Sequence, residues 1–221
     1  MAGLYKITFN LDGKGISYDP IEPIHFDSLV YYFAAIRHEP GEPPTRTDHI
    51  DPAEELGISI FKTKLNGYEV FRASAIFPED ENIMHDLRHI RKRFRMDRAD
   101  LCAPRIINQS SHFFKSENVP QHIMLCDRMV AWFYGSRRKV KKELKDLKAI
   151  GAGRRFGFGR VLGFEIEETD EDRCLQWQGY AMRYYPHPQG IKEVRPRPPY
   201  WNVTDKTPCL LPGDEIPEVQ K

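Results

Sequence analysis

RRKVKKELKDLKAIGAGRRFGFGRVLGFEIEE, residues 137–168, changes character twice, and those changes set the fold. Val140, Leu144, Leu147 and Ile150 recur at helical spacing, and Ser136 stands where a helix N-cap belongs. The stripe stops at Gly151, a common helix C-terminal signal. Beyond the glycines, Leu162, Phe164 and Ile166 alternate like one face of a strand. The order is therefore helix, glycine-rich loop, strand. Six acids and no base between 165 and 172 mark the strand's exposed end.

Working outward, Tyr5, Ile7, Phe9 and Leu11 alternate with polar residues and predict a first strand. Asp27 reads as the N-cap of a first helix, with Phe26 and Tyr31 as a hydrophobic staple and Leu29, Tyr32, Phe33 and Ile36 following. Asn66-Gly67 lies between ISIFKTKL and YEVFRASAIF, a strong hairpin signal. HDLRHIRKRF reads as a short helix inside a polar insertion at about 78–120, and 122–134 as one long strand. Two helices on one face of an antiparallel sheet would bury these stripes. That predicts an α+β chain on a ferredoxin-like or RRM-like plan over 1–172. Residues 173–221 hold eight of the 17 prolines and read as an irregular tail packed back through Trp177, Tyr184, Tyr185, Tyr200 and Trp201.

Composition excludes several classes. With 40% apolar and 29% charged residues the chain is globular, neither disordered nor a membrane span. The longest apolar run, 29–36, is too short to cross a bilayer, and the start lacks a signal-peptide layout. Cys102, Cys126, Cys174 and Cys209 are scattered, which writes no zinc knuckle and fits a reducing cytoplasm.

The loop carries the sharpest chemistry. Four glycines, Gly151, Gly153, Gly157 and Gly159, fall within nine residues beside Arg154, Arg155, Phe156, Phe158 and Arg160. Backbone freedom, charge and stacking surface together suit a phosphate backbone with splayed bases. A tight helix-to-strand turn with ordinary surface arginines explains the loop's own residues as well. No Walker lysine follows, and a dinucleotide fingerprint needs its glycines between strand and helix. The preceding helix shifts the balance. Residues 137–160 contain ten basic and two acidic residues, a net of +8, with Arg137, Lys141, Lys145 and Lys148 at helical spacing beside the apolar stripe and Arg138 and Lys142 as further candidate RNA contacts. Such a face running into such a loop favours an anionic polymer. A second cluster, Arg88, Arg91, Lys92, Arg93, Arg95 and Arg98, opposes only Asp97, a net of +5, with Arg105 farther on. His85 and His89 do not make a zincin, since no Glu follows His85 and no third ligand is evident. No metal or cofactor is expected. His25 could serve as a general base in RNA cleavage, although a lone histidine is more often structural.

The helix with its G-x-G-R-R-F-G-F-G-R-V loop resembles the C-terminal signature of the RAMP superfamily of CRISPR proteins. PIHFDSLVYYFAA (23–35) and RPRPPYWNV (195–203) further resemble the small subunit that caps the crRNA 5′ handle in type IV effector complexes. The resemblance implies a ferredoxin-like domain, with 151–159 as its glycine loop and 88–105 as a thumb-like projection. It implies binding of the crRNA 5′ handle, contact with backbone and large subunits, target DNA near the protospacer-adjacent motif (PAM), and no catalysis. The related crRNA-processing endoribonucleases share fold and loop and place a histidine near the first helix, where His25 stands. A generic RRM-like RNA-binding module and a purely structural scaffold subunit are the other readings.

Overall fold

The structure, a computed structural model, describes residues 2–18, 22–38, 58–79, 83–92, 117–152, 156–200, 202 and 204–217. In chain order the first strands are β1 (Gly3–Leu11), β2 (Ile16–Ser17), β3 (Lys62–Leu65), β4 (Tyr68–Phe71) and β5 (Phe77–Pro78). Then come β6 (Met84–Lys92), β7 (Glu117–Leu125), β8 (Arg128–Gly135) and β9 (Val161–Glu168). The C-terminal segment adds β10 (Gln176–Trp177), β11 (Tyr180–Ala181), β12 (Tyr185–Pro186), β13 (Lys192–Val194) and β14 (Thr207–Leu210). The helices are α1 (Phe26–His38) and α2 (Arg137–Glu143), the latter continued by a 3-10 turn, Leu144–Asp146.

The central sheet has the order β5-β8-β1-β9, antiparallel throughout. Tyr5, Ile7, Phe9 and Leu11 are buried in β1, as the alternation predicts. Phe26 and Val30, one helical turn apart, seat α1 on that face. The Phe26 ring lies 5.1 Å from Phe133 and 6.3 Å from Phe9. Val140, Leu144, Leu147 and Ile150 join the same core. Each such side chain contributes about 1.5–3 kcal/mol of burial free energy. The other face of the sheet is partly roofed by the C-terminal segment, where Cys174 packs on Val130 and Trp132. The chain is thus α+β, built mostly of antiparallel sheets with two helices. Among the described residues, no helix is long and apolar enough to cross a membrane.

Four local expectations are corrected. Residues 85–92 of HDLRHIRKRF are not helical, and Arg93 and Phe94 lie outside the described residues. Residues 85–92 lie in β6, which pairs with β7 from Met84↔Leu125 to Lys92↔Glu117, and a distant strand supplies hydrogen bonds that local propensity cannot foresee. The long strand at 122–134 is two strands. It breaks at Cys126-Asp127, where the Asp127 carbonyl accepts from Leu11 N–H, and β7 and β8 enter different sheets. The helix over 137–150 ends at Glu143. Arg37 donates to the freed carbonyls of Lys142 and Glu143, and residues 148–150 pair across to the far side of the glycine loop. The C-terminal segment is not irregular: β12, β14 and β13 form a three-stranded sheet. The hairpin is present as β3 and β4, with Asn66 and Gly67 both at positive φ, as a two-residue type I′ turn requires. Its second arm stops at Phe71, and β5 belongs to the central sheet.

Candidate nucleic-acid interface

The glycine loop is held at both ends by backbone hydrogen bonds. Ile150 N–H donates to Gly159 O, Gly159 N–H to Gly15 O, Ala152 N–H to Ser17 O, and Val161 N–H to Lys148 O. These clasps explain two of the glycines. A Cβ on Gly159, whose φ is +65°, would collide with the Ile150 carbonyl oxygen. One on Gly151 would come within 3.0 Å of Ser17 O. Gly157, at φ +86°, has open space around it. Chain packing therefore accounts for part of the glycine content. Gly153, Arg154 and Arg155 lie outside the described residues.

The two phenylalanines differ. Phe156 is 44% exposed, whereas Phe158 is buried with the Arg88 guanidinium 6.0 Å over its ring. Only Phe156 offers the exposed stacking surface expected of both. The Arg88 contact joins the two basic clusters, which are distant in sequence. It sets the β6–β7 ribbon beside the loop, and β2 pairs with β7 to close the arrangement. Arg91 and Lys92 continue along β6, and Arg93, Arg95, Arg98 and Arg105 lie outside the described residues.

Opposite the buried Val140 and Leu144, α2 exposes Arg137, Arg138, Lys141, Lys142 and Lys145. Among the described residues none of the five is paired with a carboxylate, and Arg160 at the loop's end is also exposed. Like charges spaced along one short helix repel, and a polyanion relieves that repulsion. The acidic run lies on β9 and just beyond it: Glu165, Glu167 and Glu168 are exposed there. The molecule is therefore electrically divided, despite a formal net charge of +1.

His85 and His89 sit on a strand rather than a helix turn. His85 Nδ1 is 2.6 Å from the Tyr18 hydroxyl. Among the described residues, no group of three metal-ligating side chains forms.

His25 is the other sequence candidate, and it is deeply packed. Its ring lies 4.4 Å from those of Tyr184 and Tyr200, stacked at 27° on the latter. Burial, then the charges of Arg183 and Lys192, hold its pKa well below the ordinary 6.5. Both ring nitrogens are buried without a hydrogen-bond partner among the described residues. An imidazole so placed costs about 1–3 kcal/mol while it stays unpartnered.

Asp27, two residues on, is not a surface cap. Helix α1 begins at Phe26, and Asp27 accepts from Ser28 N–H while fully buried. Arg183 lies 3.1 Å from its carboxylate, and the Tyr200 hydroxyl donates to it at 2.9 Å. Arg183 also donates to the carbonyls of Phe71, Ala73 and Pro196. Burial pushes the Asp27 carboxyl up, against the opposing pull of Arg183 and Tyr200. This knot ties the C-terminal segment to α1 and to the chain after β4. Nothing in the sequence marks it, since Asp27 and Arg183 stand 156 residues apart.

A family model described as "CRISPR type IV associated protein Csf3" matches residues 4–212. No curated protein gives a match. Among solved structures, the chain is similar to one chain of the "Cryo-EM structure of the Type III-B Cmr-beta bound to cognate target RNA". The identity is 14% and the TM-score 0.35, over 76% of this chain and 61% of that chain's length.

Proposed function

Because the chain belongs to the CRISPR type IV associated protein Csf3 family, we propose that it is a non-catalytic crRNA-binding subunit of a type IV ribonucleoprotein complex. In this reading it caps the crRNA 5′ handle in the cytoplasm and contacts backbone and large subunits, with target DNA near the PAM as a further partner. The observation that carries it is the cationic face of α2, unpaired with carboxylates among the described residues and leading toward the glycine loop, with Arg88 of the ribbon alongside. The β5-β8-β1-β9 order, with α1 following β1 and α2 joining β8 to β9, supports a ferredoxin-like reading of the domain. The acidic run along β9 and the roof over Val130 and Trp132 argue against the open sheet face as the RNA platform of a generic RRM-like module.

The rival reading is an endoribonuclease using His25. Cleavage through a 2′-hydroxyl needs a base that can reach that hydroxyl. The His25 nitrogens are buried and the ring is sandwiched by two tyrosines, which favours a structural histidine. The test incubates the purified protein with repeat RNA in EDTA, wild type beside His25→Ala. Tight binding to the processed 5′ end without cleavage supports the proposal. Site-specific cleavage by wild type, lost in the variant, moves the chain to the nuclease class. In parallel, Arg154→Glu/Arg155→Glu is expected to lose co-purifying crRNA while remaining folded, and full retention would remove the loop from the interface.

A further inference from the structure

The two edges of the central sheet differ. β5 closes one side with two residues, one of them Pro78, which has no N–H to offer a further strand. β9 closes the other side with eight residues and no proline. Residues 148 and 149 cover its start: Val161 N–H donates to Lys148 O, and Ala149 bridges Arg160. Past that point no strand among the described residues pairs with its outer side.

The register shows which backbone groups are left over. Thr169 N–H donates to Leu4 O, one step beyond the Tyr5↔Glu168 pair. Hydrogen-bonded pairs alternate along an antiparallel ladder, so Glu167 and Glu165 also bond to β1. The N–H and C=O groups of Glu168, Ile166 and Phe164 therefore point away from β1, toward the open edge. The side chains along this edge carry one sign of charge. Glu165, Glu167 and Glu168 are exposed, none is paired with a cation among the described residues, and β9 contains no basic residue.

An open edge is a template for strand addition, and the side chains beside it choose the partner. Two copies joined edge to edge would set these glutamates against one another, which disfavours a dimer. The same charges repel RNA. An extended segment rich in Lys or Arg supplies both the missing ladder partners and the opposite charge. We propose that β9 receives such a segment from a neighbouring protein subunit as an added strand, with its basic side chains opposite Glu165 and Glu167. The proposal deepens the subunit reading above and rests on it. It assigns protein contact to the acidic edge and leaves the cationic face of α2 to RNA.

The test follows backbone amides of the full chain by NMR, with a short peptide alternating Lys with Val as the probe. The controls are the same peptide with Glu for Lys and one with a central Pro. In the free chain, the amides of Phe164, Ile166 and Glu168 should exchange with solvent faster than those of Glu165 and Glu167. The Lys peptide should slow that exchange in proportion to its occupancy, and the Glu peptide should leave it unchanged. The Pro peptide, short of a ladder donor, should bind roughly tenfold more weakly. Glu165→Lys/Glu167→Lys should reverse the choice between the Lys and Glu peptides. Should that variant lose stability, Glu165→Gln/Glu167→Gln should abolish the choice instead. Slow exchange of the three amides in the free monomer shows the edge already covered and overturns the proposal. A wild-type dimer that protects them assigns the edge to a second copy and overturns it as well. So does equal binding of the Lys and Pro peptides, which is attraction by charge alone, and so does no binding. No arm uses RNA, so failure here leaves crRNA binding standing, and failure of crRNA binding leaves the edge to be decided by the peptides.

Discussion

Arg183 and the arginines of α2 are the same residue put to opposite uses. Arg183 is fully buried and spends its two terminal nitrogens on Asp27, Tyr200 and three carbonyls. Arg137 and Arg138 are exposed and meet no carboxylate among the described residues. Their surroundings separate a charge that fixes the fold from one available to a partner. A basic residue enclosed inside the chain beside its own carboxylate has nothing to offer RNA. One held near others of its sign, with no counter-charge, favours a polyanion.

The contrast breaks most severely if the interior pair is dispensable. Arg183→Met removes one partner and leaves Asp27 buried without its cation, which should cost about 3–5 kcal/mol. Urea unfolding measures it. Asp27→Asn combined with Arg183→Met should recover part of the loss, because no lone charge then remains. A single variant of near wild-type stability would mean that the knot does not anchor the C-terminal segment.

The glycine loop sharpens the comparison, since it borders both regions. Gly159→Ala sets a Cβ against the Ile150 carbonyl at positive φ, whereas Gly157→Ala meets only the φ penalty in open space. The first should cost more than the second, which is expected at about 1–2 kcal/mol. Thermal melts of the two variants rank them, and equal losses would mean that the Ile150–Gly159 clasp is not rigid.

His25 gives a pH signature of the interior. Its folded pKa lies below the ordinary 6.5, so as pH falls the unfolded chain takes up the proton first. Its contribution to stability is complete above the ordinary value. It declines as pH drops below it, by up to about 1.4 kcal/mol per pH unit, until the folded pKa is reached. Subtracting the profile of His25→Phe isolates this component from the acids. A difference profile flat between pH 7 and 5 would show that the ring is hydrated and charges freely.

How much could be read beforehand follows the same division. The β1 alternation and the Asn66-Gly67 turn are local patterns that agree with tertiary packing, and each lies where the sequence places it; Val140, Leu144, Leu147 and Ile150 all reach the core, but the helix expected to carry them ends at Glu143. The basic face of α2 is legible for the same reason, since its charges are close in sequence as well as in space. The β6 strand is not, because residues 84–89 are all exposed and show no alternation of burial. The Asp27–Arg183–Tyr200 knot joins α1 to residues more than 150 positions away, with no spacing to reveal it. Asp27 misleads in a specific way. An aspartate before an apolar helical run is the pattern of a cap, and here its carboxylate faces a buried guanidinium.

The central claim is that the unpaired α2 charges meet an RNA backbone. It is tested most directly by the salt dependence of crRNA affinity for wild type and Arg137→Glu/Lys141→Glu/Lys145→Glu. These are exposed positions, so folding stability should move by less than about 0.5 kcal/mol per site. If the three residues contact phosphates, the slope of log affinity against log salt should flatten by about 2, at roughly 0.7 per single-strand contact. An unchanged slope and affinity in the folded triple variant would contradict the account.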